Sequence, residues 1–358
     1  MLRKMREGID MKTRKLKGFG SLGVEVYDLD LKTCSDEEIR ELGKIVVDQL
    51  VVYVNANNCT VSPARLNHIA QMFGDPFGGQ DQSAYKMVEE KRKNHQLSRK
   101  DLIALKELRK IRVGLEDYPG MIRVTGKKDD EGDYIGMFAE GELDWHSDRQ
   151  GTGNFVPMIL LQAVEGTEGT STEFLQTADA YEALPSEWKT LIDNLIGIHR
   201  YTPGKMAPGL NASQDNILRM NMCPIDDSEV PLVCYSPGGR KGIRLSYNTL
   251  VGFKGFNEKE SKEILDFIMN HFLKEEYVYH QDWINGELVF MDQTITVHRR
   301  PTKDCSKRVM IRQTCNFDNI LNRGTQGLQN IGYETPGIIL DGKMITQKEY
   351  FEKFRYAY

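Results

Sequence analysis

The sequence lacks any run of about 18 uninterrupted apolar residues, the length a membrane helix needs. Its six cysteines (Cys34, Cys59, Cys223, Cys234, Cys305 and Cys315) include no CxxC pair, so they read as reduced thiols and not as a disulfide framework or a zinc site. Positive charge is not in excess: 47 Lys and Arg stand against 52 Asp and Glu, a net charge of −5, which argues against a general nucleic-acid binder. No strand–GxGxxG–helix unit is present, which speaks against a dinucleotide fold. Internal repeats and low-complexity segments are missing too. The basic opening MLRKMREGIDMKTRKLKGFG has no apolar stretch behind it, so it is not read as a secretory signal. Residues 1–18 are expected to form a flexible polar leader, and the protein is expected to be cytoplasmic.

What is present suits a large soluble domain. The 358 residues are 40% hydrophobic and 28% charged, enough for a sizeable core. Ser35-Asp-Glu-Glu38 is a capping-box signature, and the helix it opens should run to about Asp48. LVVYV (50–54) then reads as a buried strand. Ser62-Pro63 opens a second helix that should end near Phe73-Gly74, with proline in the first turn where its missing N–H costs nothing. Residues 19–31 read as a glycine-initiated strand and turn. A highly charged stretch at 88–112 carries apolar residues at helical spacing and reads as a surface insertion, spanning about 80–118. Beyond it, MIRVTG (121–126), MILLQAV (158–164), IGIHRY (196–201), VPLVCYS (230–236), GIRLSY (242–247), ELVFMD (287–292) and RVMIRQTC (308–315) are short strand-like runs bounded by turn residues. Helices are expected around 177–195 and 258–273. Many short strands with helices outside suggest a sandwich or barrel of antiparallel sheets. The glycine- and proline-bearing stretch 202–230 is long enough to be a candidate lid.

One constellation carries chemistry. In a strand, residues two apart face the same side, so His146 and Asp148 of Asp144-Trp145-His146-Ser147-Asp148 would present an imidazole and a carboxylate to one point. A further histidine completes the two-histidine, one-carboxylate face used by non-haem Fe(II) oxygenases, and His298, which follows a strand and turn, is the best third ligand. Alone, such a pair occurs by chance in many proteins. The other histidines (His68, His95, His199, His271 and His280) have no ligand-type neighbour at useful spacing. Arg308 and Arg312 lie an even number of residues apart on one strand and so share a face. Guanidinium forks bind carboxylates through paired hydrogen bonds, although surface salt bridges are the commoner use of arginine.

These residues sit in segments that together resemble the taurine dioxygenase/TfdA-like family of Fe(II)- and 2-oxoglutarate-dependent oxygenases, over about residues 20–316. LGVEVYDLDL, SDEEIRELGKIVVDQ, LVVYV and LNHIAQMFGDP are similar to the family's N-terminal region; WHSD matches its metal motif; GTEGTSTEF with ADAYEALP, ELVFMDQTITVHRR and RVMIR resemble its later site segments. The resemblance implies a mainly β fold with flanking helices (α+β), a double-stranded β-helix (jelly roll, cupin-like), spanning 19–320 as one domain with a C-terminal extension at 321–358. It implies His146, Asp148 and His298 as iron ligands, Thr172 and Arg308 at the distal carboxylate of 2-oxoglutarate, and Arg312 near its other carboxylate or the substrate. The spacing from His298 to Arg308 is slightly shorter than the family's usual range and that to Arg312 fits it, so the two arginine roles are exchangeable here. Fe(II), 2-oxoglutarate and O2 are the implied cofactor and co-substrates, with succinate and CO2 released. Asp148 is retained where halogenating relatives carry a small residue, which fits hydroxylation.

The substrate reading is thinner. Glu142, four before His146, falls where taurine-oxidising relatives hold a substrate-contacting residue, and an acid there suggests an amine-containing or zwitterionic small molecule. Arg149, Arg299 and Arg300 could instead meet a carboxylate, sulfonate or phosphonate. The other classes weighed are a non-catalytic jelly-roll binding protein and a zinc hydrolase built on the same ligands. A small molecule is the expected partner, with no nucleic acid or membrane, and a homo-oligomer is allowed for.

Overall fold

The computed structural model describes residues 11–55, 60–76, 90–99, 102, 112–139, 141–150, 155–200, 227–301, 304–322 and 338–355. Two antiparallel sheets face each other across an apolar layer. The larger has seven strands: β1 (Thr13–Lys15), β2 (Val24–Val26), β3 (Val51–Val54), β4 (Ile122–Thr125), β6 (Met158–Glu165), β14 (Leu288–Asp292) and β16 (Val309–Cys315). Their order across the sheet is β1-β2-β3-β14-β6-β16-β4, with only β2 and β3 parallel. The smaller holds β5 (Leu143–His146), β7 (Ser171–Gln176), β13 (Val278–Asp282) and β15 (Thr296–Arg300) in the order β13-β7-β15-β5. Three further strands, β8 (Ile196–His199), β9 (Ser228–Pro231) and β12 (Leu250–Phe253), form a side sheet. Two hairpin pairs, β10 (Val233–Tyr235) with β11 (Lys241–Ile243) and β17 (Ile338–Leu340) with β18 (Lys343–Ile345), complete the strands described.

Period-two alternation decides which side chains enter the layer between the sheets. Val51, Ile159, Val289, Met291 and Met310 point inward to meet Phe174 and Trp283. Val52, Leu160, Leu288, Phe290 and Ile311 point outward, under helices α1 (Asp36–Gln49) and α2 (Pro63–Phe73). On the far side, Trp145, Leu175 and Val297 bury their side chains among α3 (Ala178–Glu182), α4 (Ser186–Ile192), α5 (Glu258–Phe272) and the last helix, α7 (Gln347–Phe354); α6 is the single turn Asp318–Leu321. The helix starts follow their caps. Glu38 N–H donates to Ser35 Oγ and the Glu38 carboxylate accepts from Ser35 N–H, closing the expected capping box. Asn257 with Glu260 and Thr346 with Glu349 make two more.

Some expectations change. The helix at 177–195 is two helices, because Pro185 cannot donate to the ladder and sits at the start of α4. The expected leader does not extend to residue 18: Thr13–Lys15 pair with β2 and Leu16 enters the core. In the C-terminal extension, Ile338, Tyr350, Phe351 and Phe354 belong to the same buried cluster as Trp188 and Ile264. Most of the charged insertion and of the candidate lid lie outside the described residues. The end of the latter is strand β9, paired with β8. The four described cysteines are buried and form no disulfide. Among the described residues no helix is long and apolar enough to cross a membrane.

Candidate active site

His146 ends β5 and is the cross-strand partner of His298 on β15. Their rings lie 4.2 Å apart between centroids. Asp148 is not on the strand with His146, as expected, but in the turn that follows it. The turn nevertheless returns its carboxylate to the same point: ligand atoms of His146, Asp148 and His298 all lie within 4.8 Å of one another. A register shift between His298 and Arg300 marks a bulge where β15 pairs with β5. Such irregularities re-aim side chains next to active sites.

The electrostatics suit a cation. His146 Nδ1 donates to the Asp144 carbonyl (2.5 Å), which turns Nε2 to within 3.5 Å of Asp148 Oδ1. The other carboxylate oxygen, Oδ2, accepts from Arg312 Nη1 at 2.5 Å. Burial by itself would raise the Asp148 pKa, but Arg312 and the two histidines outweigh it and hold the carboxyl well below its ordinary value. Burial, reinforced by the nearby His146, pushes His298 down to about 3, so it is a neutral imidazole, and its Nδ1 is buried without a partner. Two imidazoles and one ionised carboxylate converge here with a lone pair left over. That donor set fits a borderline divalent metal on one face, leaving other positions open.

A cavity opens beside the three ligands. Val124, Phe138, Leu143 and Leu161 give it an apolar wall, and Thr172, Arg300, Arg308 and Arg312 add polar atoms. Arg308 is buried (3% exposed), and its Nε and Nη1 have no hydrogen-bond partner. Burial, together with the neighbouring Arg300 cation, lowers its pKa to about 10. A Cβ on Gly166, which has φ +59°, would collide with the Lys307 carbonyl, so glycine there lets the chain pass close behind Arg308. Thr172 lines the same cavity, and its hydroxyl oxygen accepts from Trp283 Nε1 at 2.9 Å. The hydroxyl proton is thereby left to point elsewhere.

The structure thus brings together His146, Asp148, His298, Thr172, Arg308 and Arg312. Glu142 is exposed and does not line the cavity. Arg299 points outward onto Glu173 and the Trp145 ring, and Arg149 is buried away from the cavity wall. Arg300, two residues beyond His298 on the same face, does line it; its guanidinium donates to the carbonyls of Phe138 (2.7 Å) and Gly141 (2.6 Å). Trp283 and Gln293 were not among the expected site residues. Trp283 is near no ligand motif in sequence, whereas Gln293 stands five residues before His298 in a segment that was read only for its histidine; both act through hydrogen bonds that only the fold creates.

Known proteins resemble this chain in sequence and in fold. The profile of the "Taurine catabolism dioxygenase TauD, TfdA family" matches residues 12–314. The alpha-ketoglutarate-dependent 2,4-dichlorophenoxyacetate dioxygenase of Cupriavidus pinatubonensis is 27% identical over 192 residues, 53% of this chain and 64% of that protein. The (S)-phenoxypropionate/alpha-ketoglutarate-dioxygenase of Sphingobium herbicidovorans is 24% identical over 203 residues, 53% of this chain and 67% of that protein. The chain therefore spans about two thirds of the length of these relatives. Among solved structures, a taurine dioxygenase from Burkholderia xenovorans superposes with a TM-score of 0.60 at 19% identity, covering 85% of this chain and 89% of its own. AAD-2, solved with Mn(II) and N-oxalylglycine, gives 0.60 at 21% identity over 86% of this chain and 97% of its own. These likenesses establish the double-stranded β-helix expected from the sequence, and the family match over residues 12–314 places this chain in the TauD/TfdA family.

Proposed function

We propose that the protein is an Fe(II)- and 2-oxoglutarate-dependent dioxygenase that hydroxylates a small anionic or zwitterionic molecule. The observation that carries this is Arg308: a buried guanidinium with two unpartnered donors, in the same cavity as a three-ligand metal face. An unpaired buried cation is costly unless a ligand completes it, and a dicarboxylate reaching from the metal face to Arg308 would do so.

In this reading His146, Asp148 and His298 hold the iron. Arg312 binds one oxygen of Asp148 and leaves the other for the metal. The Arg308 fork and the Thr172 hydroxyl take the distal carboxylate of 2-oxoglutarate, the threonine being set by Trp283 so that it donates. Bound on this face, Fe(II) supplies the chemistry that couples O2 to oxidative decarboxylation of 2-oxoglutarate, giving succinate, CO2 and an oxygen atom for the substrate. The apolar wall of Val124, Phe138, Leu143 and Leu161 keeps water from that side.

Charge favours an anionic group on the substrate. With Arg308 given to the co-substrate and Arg312 to Asp148, Arg300 is the cation left to face the substrate among the described residues that line the cavity. The substrates named for the two relatives above, 2,4-dichlorophenoxyacetate and (S)-phenoxypropionate, are carboxylates. The amine preference rests on Glu142 alone, which stands outside the described cavity wall. The test is succinate formation from 2-oxoglutarate with Fe(II) and O2, followed by a panel of small carboxylates, sulfonates, phosphonates and amines. Stimulation by anionic compounds is expected. No Fe(II)-dependent succinate under any condition would overturn the reading, and stimulation by non-anionic amines alone would overturn the substrate class.

A further inference from the structure

Asp148 raises a question that the ligand set leaves open. It lies past the end of β5, so no sheet ladder holds it, yet a ligating carboxylate must be placed to a fraction of an ångström. The side chain that meets its backbone is Gln293, fully buried, one residue past the end of β14. Gln293 Oε1 accepts from Asp148 N–H at 2.7 Å, and Gln293 Nε2 donates to the Asp148 carbonyl at 3.3 Å and to the Val156 carbonyl. The carboxamide thus closes on both sides of one peptide residue. Because Asp148 N–H only donates and its carbonyl only accepts, the orientation of the amide is dictated. The Gln293 backbone joins in: its carbonyl accepts from Ser147 Oγ (3.2 Å), which also donates to the Thr296 carbonyl (3.2 Å), and its N–H donates to the Pro157 carbonyl (2.9 Å).

We infer that Gln293 is a positioning residue that fixes the Asp148 carboxylate and ties the two arms of the metal face together. One arm runs His146-Ser147-Asp148; the other leads from Gln293 through Thr296 to His298. With the clamp in place, Asp148 Oδ2 sits on Arg312 while Oδ1 faces His146. Without it Asp148 is held through its carboxylate contacts and through its neighbour Ser147, which stays tied to Ser246 and to the Thr296 carbonyl, and the ligand spends part of its time displaced. Removal of an outer-shell partner of a metal ligand typically weakens binding roughly 10- to 100-fold. The inference rests on the proposed metal role of the site.

The test is Mn(II) binding to the full-length protein with N-oxalylglycine present, followed by electron paramagnetic resonance, together with the Co(II) absorption envelope as a report on ligand geometry. Gln293→Met keeps approximate size and removes every side-chain hydrogen bond. It is expected to weaken Mn(II) binding about tenfold or more and to change the Co(II) envelope; a merely structural role would lower Tm and leave both unchanged. Gln293→Asn and Ser147→Ala, milder changes to the same clamp, should each weaken binding by a smaller factor and carry the test if the methionine variant does not fold. Binding within about twofold of the parent in the folded variants would overturn the inference alone. A parent that binds no Mn(II) would overturn both the inference and the oxygenase reading beneath it.

Discussion

Replacing Arg308 by methionine separates binding from folding under the proposed reading, in which the guanidinium serves a ligand and not the fold. Its Nε and Nη1 are buried with no partner, and burial, with the adjacent Arg300 cation, pushes its pKa from its ordinary value down to about 10. At about 1.36 kcal/mol per unit, that fall is a penalty on the order of 3 kcal/mol for keeping the charged form in the folded, ligand-free protein. Methionine fills a similar volume without charge. The variant should therefore be as stable as the parent or more stable, by up to a few kcal/mol. The main chain at this position keeps its bonds, the carbonyl accepting from Thr125 Oγ1 at 2.5 Å and the N–H donating to Cys305. Binding should move the opposite way. Hydrogen bonds to a charged group are worth about 1.5–3 kcal/mol each, so losing two should weaken 2-oxoglutarate or N-oxalylglycine by roughly 10²- to 10⁴-fold. Differential scanning fluorimetry and isothermal titration calorimetry read the two arms. A variant that loses several degrees of Tm while binding N-oxalylglycine as tightly as the parent would refute the reasoning, since it would make Arg308 a structural cation.

Three further outcomes follow from the same geometry. Trp283→Phe removes the indole donor to Thr172 Oγ1 and should raise KM for 2-oxoglutarate by roughly 2- to 12-fold with little change in kcat, the equivalent of about 0.5–1.5 kcal/mol; an unchanged KM would contradict the orienting role. Asp292 is fully buried with Oδ2 unpartnered, and burial pushes its carboxyl from 3.8 up to about 7. A raised carboxyl contributes stability that is complete below the unfolded value and is lost as pH rises to the folded one, so Asp292→Asn should flatten the fall in Tm between about pH 4 and pH 7 and be the more stable protein at the upper end; parallel Tm–pH curves would refute this. Phe73→Ala removes a ring that stacks on Phe290 at 5.6 Å between the helices and the larger sheet, and should cost about 3–5 kcal/mol in urea unfolding while leaving metal affinity of the folded protein unchanged.

What the sequence revealed and what it hid divide along physical lines. Local signals were legible. Ser35 and Ser62 announced their helices because capping is decided within four residues. Alternation placed Arg308 and Arg312 on one face, and both reach the cavity. The same alternation separates Arg300, which lines it, from Arg299, which does not. Pairings across long separations were not legible. That His298 would lie opposite His146 depends on strand register, and register is set by the whole sheet. Asp148 was expected on the pleat of a strand, but the chain turns there, and the ligand geometry is recovered through Gln293, 145 residues away. Thr172 came from resemblance; its indole partner is 111 residues distant and carries no motif of its own. Pro185 could have divided the helix at 177–195 from sequence, since its ring and missing N–H break a ladder wherever it falls in the interior.

The central claim is that His146, Asp148 and His298 hold Fe(II) while Arg308 and Thr172 hold 2-oxoglutarate on it. Anaerobic mixing of the protein with Fe(II) and then 2-oxoglutarate tests it most directly. The account predicts a weak visible charge-transfer band that needs both additions and is absent from a folded His146→Ala variant. A folded parent protein that shows no such band, or a His146→Ala variant that shows it undiminished, would contradict the account.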